Sequence, residues 1–371
     1  MAVRTARAGE NMEEIYTAET LCLRLNKRHG ESALRLLREL QLFDARFRIG
    51  HDGDQLLVAL ARPPSELELA ALEDRFGGIK VEARILNRVC RKPRTVIEAL
   101  RGQLAPHQLA GLPKSVDIVG EVAIIELPKE LQKYEALIGK AVLETNKNLR
   151  TVLAKDGPVS TQKRLRPLRV IAGSGITETT HIEYGCLFRV DVAKTYFSPR
   201  LSFEHNRVAT QVKENETVVD MFAGVGPFTI QIAKRRRKVC VYAIDINDDA
   251  IRYLRENIRL NHVEGKVVAI KGDAREVIED QLAGQSDRVI MNLPSQSAGY
   301  LDAACLALKP KGGIIHYYAF CGDPDPINSV EKTISEALLR AGRRIEKTLC
   351  SRIVKGTAPY EWLCALDALV A

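Results

Sequence analysis

Between residues 217 and 341 a strand-like apolar run is followed by a helical stretch five times over, and this alternation restricts the chain more than any other feature. "TVVDMFA" leads into a helix, "VCVYAIDIN" into "DAIRYLRENIRLN", and "KVVAIKGDA" into a short helix. "DRVIMNLP" leads into "YLDAACLALK", and "GGIIHYYAF" into "INSVEKTISEALLRAG". Strands that return repeatedly through helices build a doubly wound, mostly parallel sheet. The C-terminal "TLCSRIVKGTAPYEWLCALDALV" holds two strand-like runs with no helix between them, so one strand there runs antiparallel. The predicted fold class is α/β, with a Rossmann-like domain over 192–371.

Two smaller α+β domains precede it, over 1–88 and 89–191. In the first, "AETLCLRLNKRHGESALRLLRELQLFDARFRIGHDGDQLLVAL" reads as strand, helix and a hairpin around "HDGD". Leu34, Leu36, Leu37 and Leu40 form a helical core stripe. "ARPPSELELAALEDRF" gives a Pro-led helix with acids in its first turn, and "KVEARIL" a closing strand. "NRVCRKPRTVIEAL" supplies a basic, Pro-punctuated linker around 88–94. The middle domain takes strands from "SVDIVGEVAIIELP", a helix from "KELQKYEALIGKAVLET", and further strands from "TQKRLRPLRVIAGSG" and "THIEYGCLFRVDVAKTYFSPRL".

The chain has 371 residues, 46% of them apolar and 27% charged, enough for a sizeable core and more than one domain. No run of about 18 uncharged apolar residues occurs, and "MAVRTARAGENMEEIY" is no secretory signal, so a cytoplasmic address is the default. The eight cysteines are widely spaced, without Cys-x-x-Cys pairs or zinc-like spacing. They are read as reduced, mostly core thiols, and no metal is expected. The formal charge of +8 is uneven: residues 91–170 hold 15 Lys/Arg against 8 Asp/Glu, which points to a polyanionic partner or to a solvated basic face.

Within the first strand–helix unit, "VVDMFAGVGPFTIQIAK" places Gly224 and Gly226 in a turn ahead of a helix N-terminus, a nucleotide-type arrangement. It lacks the Lys-Ser/Thr of a phosphate loop, and Pro227 and Phe228 stand where a dinucleotide fingerprint would run toward its third glycine. Asp220 would repel a pyrophosphate but attract a cation, and S-adenosylmethionine carries an ammonium and a sulfonium. Asp245, 19 residues after Gly226, is placed for ribose hydroxyls, and Asp273 for an adenine amino group. Each acid alone is equally a turn or helix cap; together, at successive strand ends, they describe a methyl-donor site. Phe222, Ala223, Gly224, Val225 and Gly226, with Ile246 and Ala274 following the two acids, complete the donor set, Phe222 being open to a second reading as an apolar loop anchor. In "NLP", Asn292 offers an amide and Pro294 a flat apolar face to a planar substrate, the arrangement that methylation of a ring nitrogen needs; the plainer reading is a strand broken by proline.

These segments resemble the archaeal and eukaryotic tRNA guanosine-37 N1-methyltransferases. "LCLRLNKRHGESALRLLREL", "YFSPRLSFE", "VVDMFAGVGPF", "YAIDIN", "DRVIMNLP" and "GGIIHYY" are similar to that family in order and approximate spacing. The resemblance implies a class I methyltransferase domain, an N-terminal module that contacts the tRNA elbow, a middle RNA-binding domain, S-adenosylmethionine as methyl donor and a monomeric enzyme. Guanine N1 carries a proton, so a base and a cation near O6 are needed. The resemblance implies Glu204 as the base and Arg164 as the cation, with Arg166 beside it on the substrate; Asn292 orients the guanine and Pro294 walls it. Tyr196 and Arg200 are placed in the crevice near the methionine end of the donor, with core and surface-pair readings beside them. An unpaired base in an anticodon loop can be everted into such a pocket.

Archaeal members commonly carry Arg after the catalytic acid, where this chain has His205. An extension of roughly 15 residues precedes the first strand, and "AKRRRKVC" adds a basic cluster. The alternatives are a bifunctional enzyme that also methylates C7 of a wyosine precursor, an aminocarboxypropyl transferase of the wyosine pathway, and a non-catalytic RNA-binding protein. "NLP" and Glu204 argue against the second, and the full set of strand-end acids against the third.

Overall fold

The computed structural model describes residues 16–89, 93–157, 165–322, 324–358 and 360–371. The chain divides into two compact units, Met1–Pro93 and Arg94–Ala371. The linker residues Cys90, Arg91 and Lys92 and the N-terminal extension lie outside the described residues.

The first unit comprises β1 (Thr17–Asn26), α1 (Gly30–Glu39), β2 (Gly50–Asp52), β3 (Gln55–Ala59), α2 (Glu66–Phe76) and β4 (Lys80–Asn87). Its antiparallel sheet has the order β2-β3-β1-β4. Gly53, at φ +60°, carries the hairpin turn between β2 and β3. Ser65 and Glu68 cap α2 reciprocally: the Glu68 N–H donates to Ser65 Oγ at 3.3 Å and the Ser65 N–H to Glu68 Oε2 at 2.8 Å. Leu23, Leu25, Leu37, Val58 and Leu72 are fully buried between sheet and helices, each contributing about 2 kcal/mol. Of the expected helical stripe, Leu37 is fully buried, while Leu34, Leu36 and Leu40 pack partly buried against it.

The second unit begins with α3 (Val96–Leu100) and α4 (Pro106–Ala110), then β5 (Asp117–Val119), β6 (Val122–Ile125), α5 (Glu135–Thr145), β7 (Thr151–Lys155) and β8 (Leu168–Gly173). The four strands form a sheet in sequence order, with β6 and β7 parallel and the outer pairs antiparallel. A two-stranded ribbon follows, β9 (Glu178–Glu183) and β10 (Cys186–Asp191), turning through Tyr184 and Gly185, both at positive φ.

The rest of the chain runs α6 (Ser202–Gln211), β11 (Thr217–Asp220), α7 (Pro227–Arg235), β12 (Cys240–Asp245), α8 (Asp248–Leu260), β13 (Val267–Lys271), α9 (Ala274–Val277), β14 (Arg288–Met291), α10 (Leu301–Ala307), β15 (Gly313–Gly322), α11 (Pro326–Arg340), β16 (Ile345–Ala358) and β17 (Glu361–Val370). The sheet order is β13-β12-β11-β14-β15-β17-β16. β11 through β15 are parallel, and β17 runs antiparallel to both β15 and β16. Apolar layers cover both faces, the pattern of a doubly wound Rossmann-like sheet. Strand order reverses at β11 between β12 and β14, and in such sheets ligands bind outside the carboxyl ends at that point.

The cysteine expectation needs one correction. Cys321 on β15 and Cys364 on β17 form a disulfide, because the antiparallel register brings their Cα atoms to 6.7 Å. Cys22, Cys186, Cys240, Cys305 and Cys350 are free. Among the described residues no helix is long and apolar enough to cross a membrane.

Candidate active site

β11 ends at Asp220, and the chain then turns through Met221–Gly226 into α7, whose N-cap is Gly226 at φ +90°. A Cβ on Gly226 would stand 2.5 Å from Leu254 Cδ1, so another residue there would push that side chain aside and strain the positive φ. Gly224, at φ +56°, donates its N–H to Asp245 Oδ2 at 2.7 Å, which pins the loop to the end of the neighbouring strand. Fully buried Asn257 on α8 supports it from behind, donating to Val225 O at 3.0 Å and pairing with both backbone groups of Arg189.

A cavity of about 400 Å³ opens at this switch point. Phe222, Ala223, Gly224, Asp245, Ile246, Asp273, Ala274, Asn292 and Tyr196 all line it, as the sequence proposes. Asp273 is also the N-cap of α9, and Asp245 closes the turn that follows β12. Asp245 Oδ1 accepts the Asn247 N–H at 2.9 Å, and Asp273 Oδ1 accepts the Arg275 N–H at 2.8 Å. These bonds orient both carboxylates, and each oxygen that accepts one still has a second lone pair. Tyr300 donates to Asp273 Oδ2 at 3.1 Å and stands edge-on to Phe222 at 5.1 Å.

Asp220 is not on that wall. It lies fully buried beneath the loop, where Oδ2 accepts from Thr229 Oγ1 at 2.8 Å and Oδ1 has no hydrogen-bond partner. Burial pushes its carboxyl up to about 7, against the opposing Thr229 hydroxyl and Phe222 N–H. Val225 is fully buried in the core, and Gly226 is taken up by the packing of α7 on α8, so neither lines the cavity. Pro294 is also buried off the wall, its carbonyl accepting the Phe320 N–H at 3.4 Å.

Glu204 occupies the first turn of α6 and is 1% exposed. Its Oε2 accepts from Tyr318 OH at 2.9 Å and from Arg207 Nε at 2.9 Å, and Arg352 Nη1 stands 3.2 Å from Oε1. It is absent from the cavity wall, and the link to it is indirect: the Tyr318 ring packs at 5.8 Å on Phe228, which lines the cavity.

A second cavity of about 280 Å³ shares the Tyr196–Ser198 wall with the first. Arg166, Arg200, Lys155 and Lys355 bring positive charge to it, opposed by Asp117 and Glu126. Arg166 pairs with Glu126 at 3.2 Å. Arg200 lines this cavity and not the donor cavity, because its guanidinium is drawn to Asp117 and, at 3.2 Å, to Ser115 Oγ. Arg164 lies outside the described residues.

Three family models match the chain: the TRM5/TYW2 methyltransferase domain over 179–342, the TYW2 N-terminal domain over 96–177 and the tRNA methyltransferase 5 N-terminal domain over 22–68. The tRNA (guanine(37)-N(1))-methyltransferase Trm5b of Pyrococcus abyssi is 39% identical over 95% of this chain and 99% of its own length. The chain belongs to the tRNA (guanine(37)-N(1))-methyltransferase family. The structure of a complex of aTrm5 and tRNALeu superposes on 94% of this chain and 99% of its own, with a TM-score of 0.73 at 32% identity. Methanocaldococcus jannaschii TYW2 in complex with AdoMet covers 69% of this chain and 99% of its own, with a TM-score of 0.54 at 31% identity.

His205 on α6 is held inside the fold. It is 1% exposed, its Nδ1 lies 2.8 Å from Glu183 Oε2, and its ring meets Phe228 edge-on at 4.7 Å. The side chain braces the β9–β10 ribbon against α6 and α7. Tyr300, Phe228 and Gln296 on the cavity wall were not singled out by the sequence. Phe228 follows the glycine turn and Gln296 and Tyr300 follow "NLP", but nothing local in the sequence says which of these side chains turn toward the cavity.

Proposed function

We propose that this family member transfers the methyl group of S-adenosylmethionine to N1 of guanosine at position 37 of tRNA. The observation that carries the reading is the cavity wall itself. Asp245 and Asp273 stand at successive strand ends with Asn292 beside them, and the glycine loop has no lysine to hold a phosphate. Such a wall suits a cationic nucleoside, and bound S-adenosylmethionine supplies an electrophilic methyl on its sulfonium.

Asp245 then holds the ribose hydroxyls and Asp273 the adenine amino group, each with its remaining lone pairs. Buried Asp220 ties β11 to α7 beneath the loop through Thr229. Asn292 orients the guanine, with Pro294 stiffening the loop behind it. The everted nucleotide is read into the second cavity, whose Arg166 and Lys155 complement phosphate. Arg164 is assigned to the charge that develops on O6, and Glu204 takes the N1 proton. Residues 1–88 are read as the tRNA-elbow module, 89–191 as the RNA-binding domain and 192–371 as the methyltransferase domain, acting as a cytoplasmic monomer.

The test is methyl transfer from labelled donor to unmodified tRNA transcripts carrying guanosine, adenosine or inosine at position 37. The guanosine transcript alone should gain one CH₂ on that nucleoside. Folded, donor-binding protein that leaves it unmodified would overturn the reading, and so would attachment of the larger aminocarboxypropyl fragment.

A further inference from the structure

Behind Glu204 runs a buried chain of charged groups. Arg207 reaches two acids at once: Nε donates to Glu204 Oε2, while Nη1 and Nη2 grip Asp367, the Nη2–Oδ1 distance being 3.1 Å. Asp367, fully buried on β17, also accepts from Gln211 Nε2 at 3.0 Å and from His316 Nδ1 at 2.7 Å. His316 Nε2 in turn accepts from Arg288 Nη1 at 2.7 Å, and Arg288 Nε donates to Glu216 at 2.9 Å. α6 is thereby tied to β14, β15 and β17. An ionic cluster this deep is a costly way to hold a helix, since apolar residues of similar volume do so at least as well.

The two oxygens of Glu204 are treated differently. Oε2 accepts two hydrogen bonds, from Arg207 and from the fully buried Tyr318. Oε1 accepts none. Arg352 faces it at 3.2 Å in ion-pair range without hydrogen-bond geometry, from a side chain 37% exposed that lies over Phe203 at 4.9 Å. One oxygen is fixed to the sheet, and the other looks toward Arg352, the most exposed of the carboxylate's described charged neighbours.

We infer that Arg207 and Tyr318 are positioning residues that lock Glu204 through Oε2, so that Oε1 is the atom that accepts the guanine N1 proton. This rests on the reading of Glu204 as the base. In the step, the N1–H bond breaks, its electron pair stays on N1 and the proton bonds to Oε1; solvent on the Arg352 side takes it before the next turnover. Tyr318 serves as a permanent donor because burial, reinforced by the Glu204 charge, holds its hydroxyl well above the ordinary tyrosine range. Burial opposes the Arg207 charge, but Asp367 and Glu204 together hold the guanidinium more firmly protonated than in water. A carboxylate held this way pays no reorganisation when the purine arrives.

The experiment uses Tyr318→Phe, which keeps the ring on Phe228, and Arg207→Lys, which keeps a cation but loses the fork. Each is made in the wild-type and Glu204→Gln backgrounds. Single-turnover methyl transfer to the guanosine-37 transcript is measured together with donor and tRNA dissociation constants and thermal midpoints. Each variant should slow the chemical step about 10-fold with both dissociation constants within about twofold, and neither should slow Glu204→Gln further. Equal slowing in both backgrounds would overturn the inference while leaving the base reading intact. A Glu204→Gln enzyme at the wild-type rate would overturn both. Should Arg207→Lys fail to fold, Tyr318→Phe decides alone.

Discussion

Asp220 and Glu204 are buried to the same degree, 0% and 1% exposed, in the same unit of the chain, and their surroundings are opposite. Asp220 meets a threonine hydroxyl, a backbone N–H and no cation, and burial carries its carboxyl up to about 7. Glu204 meets Arg207, Arg352 and Tyr318. Burial therefore does not decide what a carboxyl group does; the partners supplied with it do. At the proposed donor end, Asp220 lies beneath the loop and off the cavity wall, with one carboxyl oxygen left without a hydrogen bond. At the proposed proton-transfer end, Glu204 is already supplied with partners by the protein.

Stability measurements on the two ends should differ in sign. The largest effect is expected from Asp367→Asn, which strips Arg207 of its second anion. Breaking one partner of a buried pair costs about 3–5 kcal/mol, read by denaturant unfolding at pH 7. Burial alone would raise Asp367, yet His316 and Arg207 hold it well below the ordinary carboxylate range. Its contribution is thus present above its unfolded value near 3.8 and lost as the pH falls below it. Asp220 behaves in reverse. Its folded value is raised, so its contribution is complete below 3.8 and lost as the pH rises through about 7. Asp220→Asn should therefore leave stability unchanged near pH 4 and raise it at pH 8 by roughly 2–4 kcal/mol. Equal curves at both pH values would remove the contrast between the two acids.

Within the donor end the contrast can be sharpened by ligand titration. Asp245→Asn should weaken S-adenosylmethionine binding about 10-fold by calorimetry, as one carboxylate that serves both loop and ligand becomes an amide. Tyr300→Phe keeps the edge-on contact with Phe222 and loses only the hydrogen bond to Asp273, so a smaller loss is expected, about 0.5–1.5 kcal/mol.

The strand–helix alternation, the antiparallel strand near the C-terminus and the glycine turn were legible because each is encoded within a dozen residues. Asp245, Asp273 and Asn292 were legible on the same ground, since a parallel sheet sends every strand end to one edge. The buried ion network was not. Arg288 and Glu216 are 72 residues apart and Arg207 and Asp367 are 160 apart, and each reads locally as an ordinary charge. Nor was the Cys321–Cys364 pair, whose separation of 43 residues is set by strand register alone. The sheltered positions of Asp220 and Pro294 show the limit of motif reading: it finds the loop and cannot say which of its side chains face the ligand.

The division of labour between the two acids is tested most directly by measuring donor affinity and single-turnover methyl transfer side by side in Asp220→Asn and Glu204→Gln. The account predicts a loss of donor affinity in the first, and in the second a rate lowered about 10²–10⁴-fold with donor affinity intact. Parallel losses of affinity and rate in both variants would contradict it.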